Sequence, residues 1–231
     1  MDSDCDRALV VFARLPVPGK VKTRLAASVG NESACAFYKE CAEHVIRSAS
    51  STPATKLHLF YSDEEEHDSV VQWLFSMGLQ DFGVHHQVQD KDLGVRIFSA
   101  LHQVLEGGAK KAIIIGTDIP DISTDIISRA YDGLDDHQAV IGPSKDGGYY
   151  LLGLTKTDEN LFQGIEWSTS TVFSSQLENI EQLGMSATLP HFLPNLQDID
   201  TIEDLKSWVD TCGEDHPVLT VSRRILSFQK S

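Results

Sequence analysis

The 231-residue chain carries 34 Asp and Glu against 19 Lys and Arg, a formal charge of −15, with 41% hydrophobic and 23% charged residues. Such a composition supports a sizeable buried core, and so negative a balance opposes nonspecific binding to nucleic acid or to anionic membrane. Neither is expected as a partner, and an anionic small substrate would need a local cluster of positive charge.

The chain opens on Met1-Asp2-Ser3-Asp4-Cys5-Asp6, acidic where a signal peptide would be basic, and no apolar run reaches the length of a membrane span. A cytoplasmic protein is expected. Ala8–Ala13 reads as the first strand, followed by a Pro/Gly loop and a helix from about Ser33 to Ser48 with Phe37, Cys41 and Val45 on one stripe. A strand at 56–61, a helix near 70–75, a strand around 84–88 and a helix from about Val95 to Leu105 continue the alternation. The run 111–116 is almost wholly apolar, as a central parallel strand buried on both faces should be.

After a helix near 124–134, the runs 139–142 and 149–154 read as two strands with no helix between them, which implies one antiparallel member in the sheet. A helix around 171–183, a short strand near Leu189 and a helix opened by Asp200-Thr201-Ile202-Glu203-Asp204 complete the pattern. Strand–helix alternation of this kind defines an α/β fold with a mainly parallel sheet. No linker or repeat divides the chain, so one domain over 1–231 is expected. Cys5, Cys35, Cys41 and Cys212 form no CxxC pair and have no His at ligand spacing; they read as reduced thiols.

Ligands of open parallel sheets bind beyond the carboxyl ends of the strands. Three segments there carry chemistry. Arg14, Lys20, Lys22 and Arg24 place four cations within eleven residues of a loop shaped by Pro16, Pro18 and Gly19, which suits a polyphosphate; a solvated basic loop is the alternative. The loop is not a Walker motif, since Gly19-Lys20 is followed by Val21. Thr117-Asp118 ends the most apolar strand, and Asp118 is the leading ligand for a hard divalent cation; Asp121 is a metal neighbour or a helix cap. In Lys145-Asp146-Gly147-Gly148, Gly147 and Gly148 let backbone approach a ligand and Asp146 can bond sugar hydroxyls, although a hairpin turn uses the same residues. Asp198 and Asp200 share one face of an extended segment, where one could reach a metal and Asp200 or Thr201 could cap the following helix.

The ordered segments FARLPVPGKVKTRL, DLGVR, GTDIPDI, GPSKDGGYYLLGL, EWST and DIDTIEDL resemble a bacterial-type family of uncharacterised glycosyltransferases, formerly a domain of unknown function. The resemblance spans nearly the whole chain. It implies the GT-A or nucleotide-diphospho-sugar transferase fold, a three-layer α/β/α sandwich shared with molybdenum-cofactor guanylyltransferases and sugar-phosphate nucleotidyltransferases. It further implies that Lys20, Lys22 and Arg24 bind nucleotide phosphates, that Asp118 binds Mg²⁺ or Mn²⁺, and that Asp200 is the second metal carboxylate. Asp92, Gly94 and Arg96 would border the nucleotide, Arg96 being alternatively the solvated first turn of a helix. Trp167 and Ser168 would close over the sugar or acceptor, Trp167 being alternatively a core residue. The chain departs from the nucleotidyltransferases by PGKVKTR in place of a GxGxRxG loop, and from glycosyltransferases by Thr117-Asp118 in place of Asp-x-Asp.

The expected activity is therefore metal-dependent transfer of a sugar from a nucleotide sugar to a small-molecule acceptor. The alternatives are nucleotidyl transfer from a nucleoside triphosphate with release of pyrophosphate, and nucleotide binding without catalysis.

Overall fold

The computed structural model describes residues 6–228. Cys5 and the acidic stretch before it lie outside the described residues. A six-stranded sheet runs in the order β3-β2-β1-β4-β6-β5, formed by β1 (Arg7–Ala13), β2 (Lys56–Tyr61), β3 (Gly83–His86), β4 (Lys111–Ile115), β5 (Ala139–Pro143) and β6 (Tyr149–Leu154). The pairs β1–β2, β1–β4 and β2–β3 are parallel, while β6 runs antiparallel to both β4 and β5. The helices are α1 (Thr23–Val29), α2 (Asn31–Ser50), α3 (His67–Ser76), α4 (Leu93–Glu106), α5 (Thr124–Asp136), α6 (Val172–Gln182), α7 (Ile202–Thr211) and α8 (Leu219–Phe228).

Side chains alternate across a strand, so β1 and β4 feed two apolar layers. Leu9, Val11, Ala13, Ile113 and Ile115 pack with Tyr38, Ala42 and Val45 of α2, with Val70 and Leu74 of α3 and with Ile127 and Tyr131 of α5. Ala8, Val10, Ala112 and Ile114 face the other way, onto Ile97, Ala100 and Leu101 of α4 and Ile180 of α6. This is the three-layer α/β/α arrangement with a mainly parallel mixed sheet. A third apolar cluster joins Leu25 of α1 and Phe37 and Cys41 of α2 to Leu205 and Trp208 of α7 and Ile225 of α8. It ties the C-terminal helices to the loop after β1.

Helix starts follow side-chain capping chemistry. Asp92 accepts from the Gly94 amide at the start of α4, Ser123 from the Ile126 amide at the start of α5, and Thr201 and Asp204 form a capping box at α7. Three expectations are corrected. The basic segment is only partly loop, because residues 23–29 form a helical turn stabilised by burying Leu25 and Ala26 against α2. The strand expected near Leu189 is a single bridge, Ala139 to Ala187, with Leu189 itself exposed. Helix α8, with Leu219, Val221, Ser222 and Ile225 buried, lies in a segment for which no element was expected.

The chain builds β1, β2 and β3 outward in one direction, then crosses back to place β4 on the other side of β1. The strand order reverses between the carboxyl ends of β1 and β4, the place where open α/β sheets bind their ligands. Among the described residues, no helix is long and apolar enough to cross a membrane.

Candidate functional site

Lys22 follows β1 with its backbone in the left-handed region, φ 45° and ψ 47°, a conformation that costs a non-glycine residue of order 1 kcal/mol. Its side chain is 3% exposed, and its ammonium contacts three carboxylates: Asp118 Oδ1 at 2.7 Å, Asp198 Oδ1 at 3.2 Å and Asp200 Oδ1 at 3.1 Å. Arg24 Nη1, mostly exposed, lies 3.2 Å from Asp200 Oδ2. Burial alone would lower the Lys22 pKa, but Asp118, Asp198 and Asp200 outweigh it and hold the ammonium well above its usual range. Burial pushes the Asp198 carboxyl up to about 7, with Lys22 pulling it down and Asp118 and Asp200 pushing it up. Three aspartates thus crowd around one ammonium at the switch point, leaving a local excess of negative charge.

Oxygen-only donors of this kind match the preference of Mg²⁺ and Mn²⁺ for carboxylates. Among the described residues, no group of three or more His, Cys, Asp or Glu is arranged to hold a metal as it stands. What the aspartates share is the ammonium, a unit positive charge within hydrogen-bond distance of each. The donor set is chemically suited to a hard divalent cation, and in this arrangement the Lys22 ammonium occupies the position the three aspartates share.

The support beneath the cluster is buried. Thr117 is 1% exposed, and its hydroxyl shares hydrogen bonds with the Tyr38 hydroxyl at 3.0 Å and the Phe12 carbonyl. Its side chain is therefore occupied below the site rather than offered to a ligand. The Cys41 thiol donates to the Thr117 carbonyl, and the Arg14 amide donates to Tyr38 Oη at 2.8 Å. Cys35, Cys41 and Cys212 are free thiols.

The remaining expected residues divide between this cluster and its surroundings. Gly19 takes φ +82°, which turns the loop after β1. The Lys20 ammonium pairs with Asp63 and Glu66 on the exposed surface, away from the aspartate cluster. Asp92 accepts from the Trp167 indole at 2.9 Å as well as capping α4. Gly94 is buried where a Cβ would lie 2.8 Å from Phe162 Cβ and 3.0 Å from the Trp167 ring, so DLGVR and EWST meet at a glycine. Arg96 donates to Gln87 Oε1, and its Nε is buried without a partner among the described residues. Burial and then Arg14 lower the Arg96 pKa, which places two guanidinium groups near each other beside the β1 end.

In the β5–β6 hairpin, Asp146 Oδ1 accepts from the Ser144 hydroxyl and from the Gly148 amide. The hairpin-turn alternative is the one realised for that oxygen. Gly147 is required by both conformation and space: φ is +89°, and a Cβ would lie 2.2 Å from the Ser170 carbonyl oxygen. The hairpin thereby packs on the segment after Trp167 and Ser168, where Ser168 takes φ +67°. Trp167 stands edge-on to Tyr149 with ring centroids 6.4 Å apart. Asp198, noted in the sequence as sharing a face with Asp200, contacts Lys22 together with it; the i, i+2 spacing was its signal.

Comparison with solved structures assigns this mainly parallel α/β/α sheet, with its basic loop after β1 and aspartates at the switch point, to the nucleotide-diphospho-sugar transferase class of fold. The model of the family described as "Uncharacterized protein conserved in bacteria (DUF2064)" matches residues 45–169, and the chain belongs to that family. A solved structure from Desulfovibrio desulfuricans G20, described as a "putative nucleotide-diphospho-sugar transferase", is 27% identical over 97% of both chains with a TM-score of 0.86. The 4-diphosphocytidyl-2C-methyl-D-erythritol synthase of Anaerococcus prevotii DSM 20548 has a TM-score of 0.54 at 10% identity, over 96% of this chain and 99% of that one. A mannosyltransferase of Pyrobaculum calidifontis, solved with GDP-Man and Mn²⁺, has a TM-score of 0.52 at 11% identity, over 97% of this chain and 75% of that one. The last two share the fold alone. None of the curated proteins matches the chain in sequence.

Proposed function

We propose that this chain is a single-domain, divalent-metal-dependent glycosyltransferase that moves a sugar from a nucleotide sugar to a small acceptor. The observation that carries the reading is the Lys22 ammonium held by Asp118, Asp198 and Asp200 where β1 and β4 diverge. Three carboxylates against Lys22 and Arg24 would repel a diphosphate, so the site needs a further cation to accept one. The likeness over 97% of both chains to a structure described as a putative nucleotide-diphospho-sugar transferase supports a nucleotide-dependent transferase, and sugar transfer is the member of that class taken here.

In this reading Asp118, Asp198 and Asp200 would hold Mg²⁺ or Mn²⁺, whose positive charge would offset the negative charge of the donor's diphosphate. Lys22 leaves the aspartates and donates to the phosphate oxygens, and Arg24 offers a second set of donors. Arg14 and Arg96 border the nucleotide beside DLGVR. The exposed Asp146 carboxylate and the Trp167 ring flank the sugar and acceptor, with Gly147 and Gly148 allowing the hairpin backbone to come close. These groups position donor and acceptor and stabilise charge on the leaving diphosphate.

Nucleotidyl transfer is the second reading. The specific observation favouring it is that Asp118 follows Gly116 and Thr117, so the other two carboxylates come from the segment before α7 rather than from an Asp-x-Asp pair. The product separates the two. Incubation of the protein with Mn²⁺ and individual nucleotide sugars should release nucleoside diphosphate, and Asp118→Asn should reduce that release at least 100-fold while keeping the melting temperature. Release of pyrophosphate from a nucleoside triphosphate, without turnover of any nucleotide sugar, would select nucleotidyl transfer instead.

A further inference from the structure

Asp121 lies three residues beyond Asp118 in the turn that follows β4, a turn closed by the Ile122 amide on the Ile119 carbonyl and anchored by both buried isoleucines. It does not cap α5, a role that Ser123 fills. Asp121 Oδ2 instead accepts a 2.9 Å hydrogen bond from the indole Nε1 of Trp208, 87 residues away in sequence and 2% exposed. Trp208 sits one turn along α7 from Asp204. Asp204 Oδ2 in turn accepts from the Asp200 amide at 3.2 Å and the Thr201 amide at 2.7 Å. His216 completes the junction: its ring stands edge-on to Trp208 at 4.9 Å, and its Nε2 lies 3.8 Å from Asp121 Oδ1.

A closed loop of contacts results. It runs from Asp118 through its turn to Asp121, across to Trp208, back along α7 to Asp204, and through Asp204 to Asp200. Among the described residues, the two segments that carry the aspartates also share the Lys22 ammonium, which must depart if a cation is to bind at that position. We propose that Asp121 is a positioning residue for the cation site, fixing the spacing of Asp118 to Asp200 through the Trp208 indole. This inference rests on the reading that the three aspartates take a divalent cation.

An indole has one donor, and an Asp121 side chain about a third exposed is anchored to it. Removing the acceptor would leave that donor buried and the turn free to shift, and outer-shell partners of this type alter metal affinity by roughly 10- to 100-fold. The test is a Mn²⁺ titration of the whole chain, followed by electron paramagnetic resonance, with the melting temperature of each variant recorded alongside. Asp121→Ala should weaken Mn²⁺ binding about tenfold, and Asp121→Asn, which keeps an acceptor for the indole, should stay within about threefold of the parent. Trp208→Phe, which removes the donor and keeps a ring, should behave as Asp121→Ala does. Parent-like Mn²⁺ affinity in Asp121→Ala would overturn the positioning role while leaving the metal reading intact. Equal weakening by Asp121→Ala and Asp121→Asn would also overturn it, because charge and not the indole contact would then be responsible. A parent protein that takes up no Mn²⁺ would remove the metal reading and this inference together.

Discussion

Lys22 concentrates the chemistry of the site in one side chain. Its ammonium is almost wholly removed from water, so it remains charged only because three carboxylates surround it. Because the Lys22 pKa is raised on folding, the stability that this pairing provides is complete below the ordinary lysine range and is lost as pH climbs through the higher folded value. Replacing the ammonium with an apolar group of similar length isolates the carboxylates. Lys22→Met should lose about 2 kcal/mol, less than a fully buried pair because the aspartates are partly exposed, or roughly 4–8 °C in melting temperature. Mn²⁺ should then raise the melting temperature of Lys22→Met by more than that of the parent, since no ammonium competes for the aspartates. Differential scanning fluorimetry with and without Mn²⁺ reads both effects, and an equal Mn²⁺ response in the two proteins would contradict the shared position. Asp118 was legible in the sequence because it directly follows the most apolar strand. The burial of the Thr117 hydroxyl beneath the strand end was not legible, because it depends on Tyr38, a contact made across 79 residues.

Among the elements, the nearly continuous apolar runs of β1 and β4 and the paired runs at 139–142 and 149–154 carried the sheet, including its antiparallel member. Helix α4 was equally legible from Ile97, Leu101 and Leu105 at four-residue spacing, whereas its cap Asp92 and the α5 cap Ser123 were not read as caps. Residues 23–29 and 219–228 were not legible, because their stability comes from docking Leu25 and Ile225 into one cluster, which local pattern does not reveal. The sheet edge holds a feature that sequence spacing also hides. His58 Nδ1 of β2 lies 3.0 Å from His85 Nε2 of β3, and the rings stack at 5.2 Å. Burial, then His85 and Lys56, pushes the His58 pKa down to about 4, and burial and Lys56 lower that of His85. Both rings are held neutral on folding, so the unfolded chain binds more protons between about pH 6.5 and pH 4. Stability from this pair is complete above about pH 6.5 and declines as pH falls through that window. Urea denaturation at stepped pH should show the decline, and His58→Asn should flatten it; an unchanged slope in that variant would assign the acid sensitivity elsewhere.

Across the whole molecule, topology turns distant segments into one site. The strand order brings the basic loop after β1 against the end of β4, and the third apolar cluster brings α7 up beside them, so that residues 22, 118, 198 and 200 meet. A chain with a formal charge of −15 gains no general attraction for an anionic nucleotide. Under the proposed function, capture would come from Lys22, Arg24, Arg14 and Arg96 acting locally, together with a cation on the aspartates. Metal and nucleotide are thus expected to bind interdependently. The measurement that tests this most directly is the melting temperature of the parent chain and of Asp118→Asn with UDP or GDP, each with and without Mn²⁺. Ligand at about 100 times its dissociation constant should stabilise the parent by about 2.7 kcal/mol only when Mn²⁺ is also present, and Asp118→Asn should lose that response. A diphosphate that stabilises equally without Mn²⁺, or equally in Asp118→Asn, would contradict the account.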